Sequence, residues 1–130
     1  MQSRSLLLAT WFGSVRRARA ADAPRIVEMV GQLAAHHGDT ATLTQDDLLR
    51  DLAGERPWIT VLVAETDEKL VGYAAMCGLI QLQFGARGMD MHHLFTAAEV
   101  RGRGIGRSLV EACRIEANGQ TSLLCQLISA

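Results

Sequence analysis

The chain has 130 residues, 48% of them apolar and 21% charged, with 13 Lys and Arg against 14 Asp and Glu and a net charge of -1. That size and composition suit one soluble globular domain able to bury a core without disulfides or metal. The near-neutral balance excludes a nucleic-acid or acidic-membrane partner held by overall charge, so any bound anion must be held by a local arrangement. Cys77, Cys113 and Cys125 form no CxxC or Cys/His ligand pattern and read as reduced thiols of a cytoplasmic protein, with no metal site expected. No apolar run is long enough to span a bilayer.

The opening stretch MQSRSLLLATWFGSVRRARA mimics a signal peptide, but its apolar run is short and Arg16 and Arg17 lie where a cleavage region should be neutral. It also shares the acid-poor composition of an organellar transit peptide. An added strand or an early start codon is preferred to either, and residues 1–14 are set apart as an N-terminal extension of a single domain at 15–130. A short strand is predicted around Val15 to Ala18, followed by Asp22 as helix N-cap with Pro24 in the first turn. Ile26, Met29, Val30, Leu33 and Ala34 recur at helical spacing as far as Gly38. Thr44 with Asp47 has capping-box spacing, and Leu48, Leu49 and Leu52 form the apolar face of a second helix ending near Gly54.

From Trp58 the period changes. WITVLVAE and KLVGYAAMCGLI are rich in β-branched and apolar residues and are joined by the polar turn TDEK, which predicts a hairpin. GMDMHHLFT supplies a third strand, and EVRGRGIGRSLVEA brings the chain into a helix on which Ile105, Leu109, Cys113 and Ala117 share one face. The apolar TSLLCQLIS comes last. Strand, two helices, three strands, glycine loop and helix describe one α/β (α+β) domain.

The glycine loop carries the functional signal. Lacking a Lys-Ser or Lys-Thr pair, it is not a P-loop, and the sixth position counted from Gly102 or Gly104 is Arg107 or Leu109, so it is not a dinucleotide fingerprint. Free N–H groups at a helix N-terminus, with bare backbone at Gly102, Gly104 and Gly106 and the charge of Arg101 and Arg103, suit a pyrophosphate. A flexible turn or an RG-type nucleic-acid contact is the competing reading. The strand before the loop and the amphipathic helix after it disfavour both alternatives.

Arg101-x-x-Gly104-x-Gly106, between an apolar strand and an amphipathic helix, resembles the pyrophosphate motif of the GNAT superfamily of N-acetyltransferases. The likeness extends from about Val15 to Asn118 and implies a mixed, mostly antiparallel, splayed sheet flanked by helices. Acetyl-coenzyme A (acetyl-CoA) would insert at the opening of the sheet as co-substrate. The resemblance implies cofactor contacts from Leu94, Phe95 and Thr96 through their backbone, with the Phe95 N–H facing the thioester oxygen, and from Arg101, Gly102, Arg103, Gly104, Ile105, Gly106 and Arg107 around the pyrophosphate. It implies transfer of the acetyl group to a primary amine of a small molecule or peptide.

Some relatives place a catalytic carboxylate two residues before the cofactor-holding segment; His92 stands there, and its ordinary pKa suits a base. A structural, hydrogen-bonded histidine is the alternative. His93 should point to the opposite face by strand alternation. Asp90 and Glu65 read as solvated residues, Tyr73 as packing, and His36 with His37 as a helix C-terminus. The family continues past the glycine-loop helix with further elements that carry an acid tyrosine. TSLLCQLISA could form the next strand but lacks its alternation, so the fold is expected to be C-terminally truncated, with a catalytically impaired CoA-binding or regulatory module as the alternative function. An exposed apolar sheet edge would then favour a homodimer.

Overall fold

The computed structural model describes residues 6–120 and 126–129, and side chains as far as residue 119. A single sheet runs in the order β1-β2-β3-β4-β5-β6. Its strands are β1 (Leu6–Ala9), β2 (Ser14–Arg17), β3 (Thr60–Thr66), β4 (Lys69–Gln81), β5 (Ala86–Thr96) and β6 (Gln126–Ser129). All neighbours are antiparallel except β5 and β6, which run parallel through Gly88–Met91 and Gln126–Ser129. β1 is the added strand considered for the N-terminal stretch. The fold is thus the expected mixed, mostly antiparallel α+β arrangement. Of the closing segment TSLLCQLISA, residues 121–125 and 130 lie outside the described residues, and the remainder is β6.

Helices α1 (Ala23–His36) and α2 (Gln45–Leu52) cover one face, and α3 (Ile105–Gln120) covers the other. The central strands are apolar at nearly every position because both faces are buried. In β3, Val61 and Val63 meet Ala23, Ile26, Met29 and Leu48, while Leu62 and Ala64 meet Ile105, Leu109, Ala112, Cys113 and Ala117. β4 repeats the division, with Tyr73 and Ala75 on the first side and Ala74 and Met76 on the second.

Local signals explain most element ends. Thr44 Oγ1 accepts the Asp47 N–H at 3.0 Å and Asp47 returns the bond to Thr44 N at 3.2 Å, completing the expected capping box of α2. The β3–β4 hairpin turns at Asp67 and Glu68, both with positive φ (48° and 65°), as a two-residue connection requires.

Asp22 is the N-cap residue of α1 and Pro24 lies in its first turn, as expected, but the Asp22 side chain is engaged elsewhere. Asp22 makes no side-chain cap to that helix; its carboxylate accepts the Arg19 N–H at 2.7 Å and two guanidinium nitrogens of Arg16 at 2.8 and 3.0 Å. Arg16 is buried and also donates to Glu65 at 2.9 Å, so Glu65 is an ion-pair partner, not the solvated residue expected. Burying a guanidinium demands counter-charges, and that demand redirects Asp22. Burial opposes ionisation of Asp22, but the bonds from Arg16 and Arg19 outweigh it and hold the carboxyl below its ordinary pKa.

Candidate active site

The glycine loop forms the N-terminal end of α3. Gly102 and Gly104 both have φ of 82°, and a Cβ at either would meet nothing within 4 Å. These are left-handed positions in open space, so side chains are excluded by backbone conformation and the cradle remains bare. The first bond of α3 is the Ser108 N–H to the Gly104 carbonyl at 3.1 Å. The preceding N–H groups of Gly102 to Arg107 have no acceptor among the described residues. Arg101, Arg103 and Arg107 are exposed around them, so positive side chains flank the positive end of the helix dipole.

The loop abuts the end of β5. Arg101 Nε donates to the Thr96 carbonyl at 3.1 Å, and a Cβ on Gly106 would lie 3.7 Å from Thr96 Oγ1. Because β6 accompanies β5 only through Met91, the Leu94–Thr96 segment has no strand beside it on that side among the described residues. Leu94 is exposed, while Phe95 and Ile105 are buried and anchor the two halves of the corner. Of the residues expected around a cofactor, Leu94, Phe95, Thr96 and the run from Arg101 to Gly106 are therefore brought together, with Arg107 following in the first turn of α3.

His92 lies in an irregularity of β5. Ala75 pairs with His93 and Met76 with Met91, leaving His92 as an extra, bulged residue. A bulge suspends strand alternation. Met89 and Met91 belong to the α3-side core, yet His92 and His93 both line a cavity on the α1–α2 side. The expectation that His93 points away from His92 is thus incorrect. The two imidazoles stack, with centroids 4.4 Å apart and planes 10° from parallel.

Tyr73 is both packed and polar. It is buried, and its hydroxyl lies 3.2 Å from His93 Nδ1. Burial raises the Tyr73 pKa well above its usual value, so the phenol keeps its proton. Burial, then the neighbouring His92 and His37, lower the His93 pKa and keep its ring neutral at physiological pH. The cavity has a volume of about 220 Å³ and is walled by residues of α1, α2, β3 and β4, including Ile26, Val30, Leu48 and Val61, with Asp51 as its carboxylate. His36 and His37 terminate α1 as expected, and Asp90 does not line the cavity. His93 and Asp51 were not selected from sequence; the adjacent histidines of β5 were the one visible sign.

A helix N-terminus with bare backbone thus lies at the end of β5 that β6 does not accompany, next in sequence to the two histidines that line the cavity. The chain matches the acetyltransferase (GNAT) domain over residues 57–130, more than half of its 130 residues. It belongs to the GNAT family of acetyltransferases. Solved structures share the fold. A ribosomal-protein-alanine N-acetyltransferase from Brucella melitensis biovar Abortus 2308 is 20% identical, with a TM-score of 0.69 over 89% of this chain and 77% of that one. A putative acetyltransferase from Agrobacterium tumefaciens str. C58 is 24% identical, with a TM-score of 0.70 over 90% and 81%. An aminoglycoside acetyltransferase from an uncultured soil metagenomic sample, solved with sisomicin, is 17% identical, with a TM-score of 0.70 over 89% and 76%. No helix among the described residues is long and apolar enough to cross a membrane.

Proposed function

We propose that the protein is an N-acetyltransferase that uses acetyl-CoA to acetylate a primary amine of a small molecule or peptide. The observation that carries this reading is the juxtaposition of the bare, donor-rich Gly102–Arg107 loop with a β5 end whose bulge turns two imidazoles into one cavity. The donors fit a pyrophosphate by charge and by the space left open at Gly102 and Gly104.

When bound, acetyl-CoA supplies the thioester that carries the acetyl group. The loop N–H groups and Arg101, Arg103 and Arg107 would hold the pyrophosphate oxygens, and the outward backbone groups of Leu94–Thr96, beyond the end of the β5–β6 pairing, would pair with the pantetheine arm. In the register marked by the bond from the Ala97 N–H to the Val71 carbonyl, the Phe95 N–H expected to meet the thioester oxygen is directed at Tyr73 of β4 instead, so the outward N–H groups of Leu94 and Thr96 would be the ones to stabilise charge developing there. His92, the more exposed imidazole, takes the proton from the acceptor ammonium and returns it to solvent. His93, fixed by Tyr73, stacks on His92 and holds that ring in place.

Thiol release from acetyl-CoA in the presence of a panel of primary amines tests this directly. Amine-dependent release supports the reading, whereas tight acetyl-CoA binding without turnover on any amine favours a CoA-binding module. We further propose self-association, supported by the exposed Leu79, Ile80, Leu82 and Phe84 around the β4–β5 connection, which are 41%, 65%, 82% and 72% accessible. A monodisperse monomer by sedimentation would contradict it.

A further inference from the structure

From the cavity beside His92 and His93, we infer that the acceptor is a monoamine carried on an apolar group of roughly aromatic-ring size, not a polycation. This deepens the acetyl-transfer reading above and rests on it. The cavity holds about 220 Å³. A dry aliphatic cavity of about 150 Å³ takes up benzene, whereas drug-sized ligands occupy about 300 Å³ or more. A ring with a short arm to nitrogen fits this space; a multi-ring sugar does not.

Charge points the same way. The walls contributed by Ile26, Val30, Leu43, Ile59 and Val61 offer no hydrogen-bonding side-chain atom, and Asp51 is the carboxylate among the lining residues. Asp51 already accepts two bonds from Arg50, at 3.0 and 3.1 Å. One engaged carboxylate attracts one ammonium. Several ammonium groups would leave positive charges against an aliphatic wall, at a desolvation cost that one carboxylate already bonded to Arg50 does not offset. With a monoamine, the apolar group occupies the cavity and the nitrogen is left at the histidine end. The amine nitrogen bonds to the acetyl carbon of acetyl-CoA, the carbon–sulfur bond breaks with its electron pair on sulfur, and the proton shed by nitrogen passes through His92 to solvent or the thiolate.

The test compares phenethylamine, spermidine and sisomicin as acceptors for the purified full chain, with thiol release as readout. The kcat/KM for phenethylamine is expected to exceed that for either polycation by at least about tenfold, as apolar pockets discriminate on this scale. Equal or greater values for a polycation overturn the inference while leaving acetyl transfer standing. A failure to bind acetyl-CoA calorimetrically would instead overturn the underlying reading, and the inference with it. Val30→Phe, at a half-buried position on α1, fills the cavity; it is expected to lower kcat/KM for phenethylamine about tenfold with acetyl-CoA affinity unchanged. Unchanged kcat/KM contradicts the assignment. Binding is also read without turnover: with CoA present, phenethylamine should shift the His92 and His93 imidazole resonances, and their failure to move overturns the inference.

Discussion

The glycine loop and the histidine bulge are neighbours along one stretch of chain, but they arise from different physics. The loop is built from backbone: left-handed φ at Gly102 and Gly104 and, from Gly102 to Arg107, N–H groups without an acceptor among the described residues. Its requirements are local, so they are written as residue types at fixed spacing. The bulge is built from pairing: its existence depends on how Ala75 and Met76 of β4 register against His93 and Met91 of β5. Those strands approach only after the β4–β5 connection is made, and no residue within HHLFT announces that alternation will fail there. The loop is therefore readable from the chain, whereas which side chains line the cavity requires the folded sheet.

Substitutions can separate the two regions. The largest effect is expected from Gly104→Glu, which places a side chain at a φ of 82° and a carboxylate where an anion would lie. Acetyl-CoA affinity should fall at least ~100-fold, or about 2.7 kcal/mol, by calorimetry, with helical circular dichroism retained. Gly104→Ala should lose less, because it adds backbone strain without charge. Next comes His92→Ala, expected to reduce kcat/KM by ~10²–10³-fold while leaving acetyl-CoA affinity unchanged. A parallel loss of affinity would mean that the two regions are not separable.

Smaller effects concern the scaffold. Asp22→Asn removes a charge-assisted partner of buried Arg16, and a cost of about 1–2 kcal/mol is expected in chemical denaturation. Because the Asp22 pKa is depressed in the folded state, its contribution is complete above the unfolded value of about 3.9 and disappears as pH falls below it. The difference in Tm between wild type and variant should therefore narrow below about pH 4; a gap independent of pH would sink this account of the Arg16 cluster. Tyr73→Phe leaves His93 Nδ1 without its phenolic partner, with an expected loss of about 1 kcal/mol and a modest fall in kcat.

The same division between local and non-local physics governs the rest of the molecule. The helical periodicity from Ile26 to Ala34, the Thr44–Asp47 box, the β3–β4 hairpin and the buried stripe Ile105, Leu109, Cys113 and Ala117 were all legible, because each is a pattern within one element. Asp22 was correctly placed as the N-cap residue of α1, but the engagement of its side chain by Arg16 was not legible, and Glu65 was read as solvated because its bond to Arg16 forms only across the β2–β3 pairing. The role of Tyr73 was half legible: burial followed from its apolar surroundings, but the hydrogen bond to His93 follows from the β4–β5 pairing and the bulge beside it. In the site, the loop residues came from sequence, and the second histidine and the cavity wall came from structure.

Backbone amide shifts on titration with acetyl-CoA test the central claim most directly. The largest changes are expected at Gly102 to Arg107 and at Leu94 to Thr96, with smaller ones at His92 and His93 and little at α2. Shifts concentrated elsewhere, or none at saturating acetyl-CoA, would contradict the assignment of this corner of the sheet as the cofactor site.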